Sequence, residues 1–146
     1  MAIFFGNDDV SDRTIVATEK VFAFPTMTPI VPGHVLVCPR RIIARWEDLN
    51  PEETQSLLNL VFAIKKALKK VVGASGFNVA WNEGSVAGQS VAHLHVHVVP
   101  RCPGDRGITE YEPRRFLYRP GSRAVSPNEE LQDIAKKIAD HLSERD

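Results

Sequence analysis

From Val91 to Val99 the chain alternates strictly, with His93, His95 and His97 separated by Leu94 and Val96 and followed by Val98. A strand turns a period of two into two faces, so a β-strand is expected here, with three imidazoles on one side at intervals of about 7 Å. Leu94, Val96 and Val98 would occupy the other side. Their burial fixes the register, because a slip of one residue would carry the histidines into the core. Pro100 is expected to end the strand.

Signals on either side of this strand assemble the rest of a fold. Residues Arg13 to Ala17, Lys20 to Phe24 and Gly33 to Pro39 are rich in β-branched and apolar side chains, with proline punctuating them. Asn50-Pro51-Glu52-Glu53 combines a capping residue, a proline at the first helical position and a glutamate three residues past the cap. Behind it Leu57, Val61, Ile64, Leu68 and Val71 recur at helical spacing, with Lys65, Lys66, Lys69 and Lys70 largely on the other flank as a solvated face. Gly73 and Gly76 close this helix, and Phe77 to Trp81 reads as a further strand before the turn Asn82-Glu83-Gly84-Ser85. Ser126-Pro127-Asn128-Glu129 repeats the cap pattern ahead of a stripe made by Leu131, Ile134, Ala135, Ile138 and Leu142. The class is α+β, an antiparallel sheet of about five strands with one central helix and a C-terminal helix.

With 146 residues there is room for one core, so a single domain over 1–146 is expected. Its core spans about 3–105, a surface loop rich in Pro, Gly and Arg covers 106–125, and the closing helix covers 126–142. The balance of 18 basic against 18 acidic residues lacks the basic footprint of a nucleic-acid binder. No apolar run is long enough for a bilayer span, and the opening residues lack the marks of a signal or transit peptide. Cys38 and Cys102 suggest neither a disulfide framework nor a zinc site, and a cytoplasmic location is expected.

Four roles are open to the histidine row: tolerated structural residues, a metal site, catalysis on phosphate, or nucleotide binding without turnover. A strand spaces imidazoles too widely for all three to hold one ion readily, and neither a cysteine nor an acidic cluster lies nearby. The preceding loop favours phosphate. Gly84, Gly88, Gln89, Ser90 and Val91 allow the backbone to approach an anion closely, with N–H groups and the Ser90 hydroxyl as donors. Neutral imidazole can attack phosphorus without a separate base, and tying its Nδ1–H to a carbonyl would present Nε2 to the substrate.

The segment Gly88-Gln89-Ser90-Val91-Ala92-His93-Leu94-His95-Val96-His97-Val98-Val99-Pro100-Arg101, with Pro29-Ile30-Val31-Pro32-Gly33-His34-Val35-Leu36-Val37-Cys38-Pro39, resembles the histidine-triad superfamily. The resemblance implies nucleotide chemistry with His95 as the nucleophile that becomes nucleotidylated. It implies that His97 contacts the α-phosphate and bridging oxygen, and that His93 and His34 orient the others. It also implies an apolar base pocket at Phe5, Phe24 and Leu36, an amide at Asn82 for ribose or phosphate, and a symmetric homodimer. Where the superfamily usually has Asp or Asn for the ribose hydroxyls this chain has Thr26, and the residues after Arg101 match neither major branch closely. Phe5-Gly6 and the Pro100-Arg101 exit look most like the fragile-histidine-triad hydrolases of dinucleoside polyphosphates, while Asn82-Glu83-Gly84-Ser85 and Gln89-Ser90-Val91 look like the nucleoside phosphoramidase branch. A nucleotide-dependent signalling module with little turnover is the remaining alternative. No cofactor or protein-bound metal is implied, and magnesium would come with the polyphosphate.

Overall fold

The computed structural model describes residues 2–107 and 125–142. Most of the expected 106–125 loop therefore lies outside the described residues. Nine regular elements are used below: β1 (Phe4–Phe5), β2 (Asp8–Asp9), β3 (Val16–Ala17), β4 (Val21–Pro25), β5 (Val35–Pro39), α1 (Pro51–Val71), β6 (Gly76–Ala80), β7 (Val96–Arg101) and α2 (Asn128–Leu142). β3 to β7 form a five-stranded antiparallel sheet in the order β3-β4-β5-β7-β6, and β1 and β2 form a separate small hairpin. The α+β architecture expected from the sequence is thus present. No helix among the described residues is long and apolar enough to cross a membrane.

Helix α1 starts where the sequence sets a stop to other conformations. Asn50 Oδ1 accepts from the Glu53 N–H at 2.8 Å, Glu53 Oε1 accepts from the Asn50 N–H at 3.0 Å, and Pro51 begins the first turn. Leu57, Leu60, Val61, Ile64 and Leu68 then bury one face against the sheet. They meet Val21, Ala23, Val35, Val37, Val96 and Val98, and α2 completes this core with Ala135 and Ile138. The other sheet face carries Phe22, Phe24, Leu36 and Cys38, covered by Val10 and by half-buried Ile3 and Phe5 from the N-terminal hairpin region.

The histidine strand is shorter and later than its alternation suggests. β7 runs from Val96 to Arg101, so His93 and His95 lie on the segment leading into it, and Pro100 lies inside it. The ladder stops at Val37↔Val96 because the next residues offer it little. Pro39 has no N–H, its carbonyl accepts from the His93 ring, and the Leu94 N–H turns away to Ile43 O at 2.6 Å. Pro100 is tolerated for a related reason. Ser75 N–H donates to Arg101 O, so Arg101 directs its polar groups to β6 while Pro100 directs its own to the side where β5 pairing has ended at Val98.

Three smaller differences have local causes. Residues 11–13, expected to begin a strand at Arg13, form a short 3-10 turn, which leaves only Val16–Ala17 as β3. Gly33 and His34 precede β5 rather than open it: the His34 N–H closes a turn on Val31 O, and Gly33 has φ +93°. β6 begins at Gly76, which pairs with Arg101, and ends at Ala80 instead of Trp81.

Candidate active site

The four imidazoles of the candidate site come from β7, the segment before it and the turn before β5. His97 is on β7 opposite Leu36 of β5, and residues directly opposite share a face, so its ring emerges on the hairpin side of the sheet. His95 precedes β7 with its ring 5.1 Å from that of His97, centroid to centroid, and 5.0 Å from Phe5 in an edge contact. The expected row of three evenly spaced histidines is therefore a close pair, His95 and His97. His93 is withdrawn into the interior against Phe5 and Phe22, and His34 stands behind His97.

Two backbone amides and one backbone carbonyl fix how these rings are protonated. Gly6 N–H points to Nδ1 of His93 at 3.2 Å, which makes that nitrogen an acceptor, so Nε2 carries the proton and donates to Pro39 O at 2.7 Å. The His93 carbonyl then accepts from Nδ1 of His95 at 2.7 Å, leaving Nε2 of His95 as the nitrogen with a lone pair. On the other arm Ile30 N–H points to Nδ1 of His34 at 3.1 Å, so Nε2–H of His34 donates to Nδ1 of His97 at 2.9 Å. Neutral His97 must then hold its proton on Nε2. A nucleophilic nitrogen and a donor N–H sit side by side. Burial lowers the pKa of His95 below its ordinary value against the opposing hydrogen bond to the His93 carbonyl, and burial likewise lowers that of His93 against its bond to the Pro39 carbonyl. Both rings are thereby held in the neutral form that this arrangement requires.

His95 and His97 face a cavity of about 230 Å³. Of the other residues expected to bind nucleotide, Phe5, Phe24 and Leu36 give it apolar lining, and Thr26 lines it too. Gly88, Ser90 and Val91 also line it, with Gly88 at φ +94° ending a short 3-10 turn over Ser85–Ala87. Phe5 and Phe24 lie 5.2 Å apart at 51°, a tilted pair that leaves an aromatic surface for a flat ring.

Asn82 and Gln89 do not line this cavity. The Gln89 amide is occupied in bracing the loop, since its Nε2 donates to Ala44 O at 3.0 Å and its Oε1 accepts from Gly84 N–H at 2.8 Å. Asn82 is buried, with Nδ2 lacking a partner among the described residues. Sequence reasoning passed over Asp8, Arg13, Met27 and Thr28, which also line the cavity. Gly6-Asn7 between Phe4-Phe5 and Asp8-Asp9 is a two-residue turn signal that locates the hairpin and hence Asp8. Arg13 carried no such signal.

The sequence pattern of the HIT domain matches residues 7–104, two thirds of the chain. The chain belongs to the HIT domain family. Among HIT relatives, a bis(5'-nucleosyl)-tetraphosphatase [asymmetrical] of Schizosaccharomyces pombe is 38% identical over 103 residues, 70% of this chain and 57% of that protein. The bifunctional bis(5'-adenosyl)-triphosphatase/adenylylsulfatase FHIT of Arabidopsis thaliana is 37% identical over 69% of this chain and 57% of its own length. The chain thus matches little more than half the length of these relatives. Among solved HIT structures, a Hit-like protein of Bartonella henselae superposes with a TM-score of 0.73 at 29% identity, covering 88% of this chain and 85% of that one.

Proposed function

We propose that this HIT domain hydrolyses dinucleoside polyphosphates through a nucleotidyl-histidine intermediate on His95. The observation that carries the reading is the His95–His97 pair, one ring offering an unprotonated Nε2 and its neighbour an Nε2–H, at the end of an aromatic cavity. Relatives named as dinucleoside polyphosphate hydrolases support the substrate class. A base would lie against Phe5, Phe24 and Leu36, the ribose near Thr26, and the α-phosphate between His95, His97 and the Gly88–Val91 rim. Thr26 offers a hydroxyl where a carboxylate would grip both ribose hydroxyls, so the sugar contributes less to binding than the base and phosphate.

Attack by Nε2 of His95 forms an N–P bond as the bridging P–O bond breaks, and the remaining nucleotide leaves with its oxygen. Nε2–H of His97 stabilises the oxygens on which charge accumulates. Water then attacks the phosphorus, the N–P bond breaks, a nucleoside monophosphate departs, and the proton shed by water passes to solvent. His34 and His93 act as positioning residues through His97 and His95. The scheme needs no protein-bound metal, and magnesium would accompany the polyphosphate. The functional unit is a homodimer joined through the open edge of β6, where Val79 and the neighbouring Trp81 are exposed.

His95→Asn tests the reading. Single-turnover labelling with a dinucleoside polyphosphate should put one nucleotidyl group on the wild-type chain and none on the variant. Turnover should fall by several orders of magnitude, with binding of a nucleoside monophosphate largely kept. Cleavage by the variant at the wild-type rate would sink the proposal. Diadenosine polyphosphates and adenosine phosphoramidates compared side by side would separate the two kinds of leaving group.

A further inference from the structure

Beside the aromatic slot stands an ion pair that the chemistry above leaves unused. Arg13 is 6% exposed, yet it lines the cavity with Phe5, Phe24 and Asp8. Its Nη2 donates to Asp8 Oδ2 at 2.9 Å, Nη1 lies 3.5 Å from Asp12 Oδ1, and Cζ is 5.8 Å from the Phe24 ring centre. Nε has no hydrogen-bond partner. Burying a guanidinium one acceptor short is costly, and this fold keeps it in the wall of a ligand cavity. The Asp8 side chain is 47% exposed and lines the same cavity.

We propose that the Arg13–Asp8 pair reads the edge of the base and makes guanine the preferred base at this site, an inference that rests on the nucleotide reading above. Stacking on Phe5 and Phe24 does not discriminate, because every base has a π-face. The polar wall does. Guanine offers a guanidinium two adjacent acceptors, O6 and N7, and offers a carboxylate two adjacent donors, N1–H and the 2-amino group. Adenine places a donor beside an acceptor on both edges, so each charged partner meets one suitable atom and one unsuitable one. Both members of the pair therefore favour the same base. The turn that carries Arg13 is anchored from outside, since Asp12 Oδ2 accepts from Asn128 Nδ2 at 2.9 Å and from Gln132 Nε2 at 3.3 Å. The guanidinium is thus held in place before any ligand arrives.

The test measures affinity for GMP and AMP by calorimetry on the whole chain, and kcat/KM for diguanosine and diadenosine polyphosphates of equal phosphate number. Wild-type protein is compared with Asp8→Asn, which leaves an amide oxygen beside the buried Arg13 but removes its countercharge, so a thermal melt first checks that the variant is folded. The expected guanine preference is about tenfold or more, the discrimination of one good bidentate pair, and Asp8→Asn, which leaves only the Arg13 half of the readout, should reduce it about threefold or more. A wild-type preference below about threefold, or one that Asp8→Asn leaves intact, overturns the proposal. If neither dinucleotide is cleaved the hydrolase reading fails, and the GMP and AMP affinities still decide this one. If both are cleaved with adenine equal or preferred, the hydrolase reading stands and this inference falls.

Discussion

Two backbone amides, of Gly6 and Ile30, and one carbonyl, of His93, decide the tautomers of four imidazoles. Because burial lowers the pKa of His95, its neutral form persists to more acidic pH than a free imidazole allows. The acid limb of kcat/KM should accordingly fall below pH about 6.5, the ordinary histidine value, and a limb at or above that value would contradict His95 as nucleophile. Stability follows the same sign. His93 and His95 bind protons less readily folded than unfolded, so stability present above pH about 6.5 is lost as pH falls toward their folded values. Thermal melts between pH 7 and 5 should show Tm declining with acid. Glu53, held down to about 2 chiefly by its hydrogen bond with Arg41, stays charged throughout that window and loses its contribution only at much lower pH. His34→Ala should lower kcat about tenfold or more while moving KM little, because it removes the donor that fixes the His97 tautomer rather than a group on the substrate. A histidine row centred on His95, with an Nδ1–H tied to a carbonyl, was legible from the sequence, but the tautomers of His93 and His97 were not. They depend on contacts between residues 63 and 87 positions apart, which no local pattern encodes.

At the scale of elements, legibility followed how local each signal is. α1 was readable to its first residue because the capping box and the stripe behind it involve neighbours three and four apart. Asn50→Ala should cost about 1 kcal/mol, seen as a Tm lower by roughly 2–4 °C. The β1–β2 hairpin escaped because two-residue strands are too short to show alternation. It also carries the amide behind His93. Gly6 has φ +58°, and a Cβ there would sit 2.8 Å from Cγ1 of Val91. Gly6→Ala should cost about 1–2 kcal/mol and lower kcat as well, since the amide that fixes His93 must shift. A variant with normal kcat and only a lowered Tm would separate the hairpin from the chemistry. The start of β7 was misjudged because alternation continues through His93 and Leu94 while the ladder does not. Pro39 and the Ile43 carbonyl end it from outside the segment.

For the whole molecule, the order β3-β4-β5-β7-β6 leaves β6 at an edge with its outer side open among the described residues. Sedimentation of the wild-type chain should give a dimer, and Val79→Lys, which places a charge on that edge, should give a monomer. A monomeric wild type at working concentration would reject the dimer. Sheet and helix composition were legible because each follows from periodicity, but the order in which distant elements meet was not. One such meeting is that of α2 with the turn over Ser11–Arg13, through the Asn128 and Gln132 bonds to Asp12. Helix α2 thereby acts as a splint for the wall against which the base is to rest. Loosening it by Gln132→Ala should register as weaker nucleotide affinity at nearly unchanged kcat, so that a tail remote in sequence from the histidines sets how firmly the substrate is gripped.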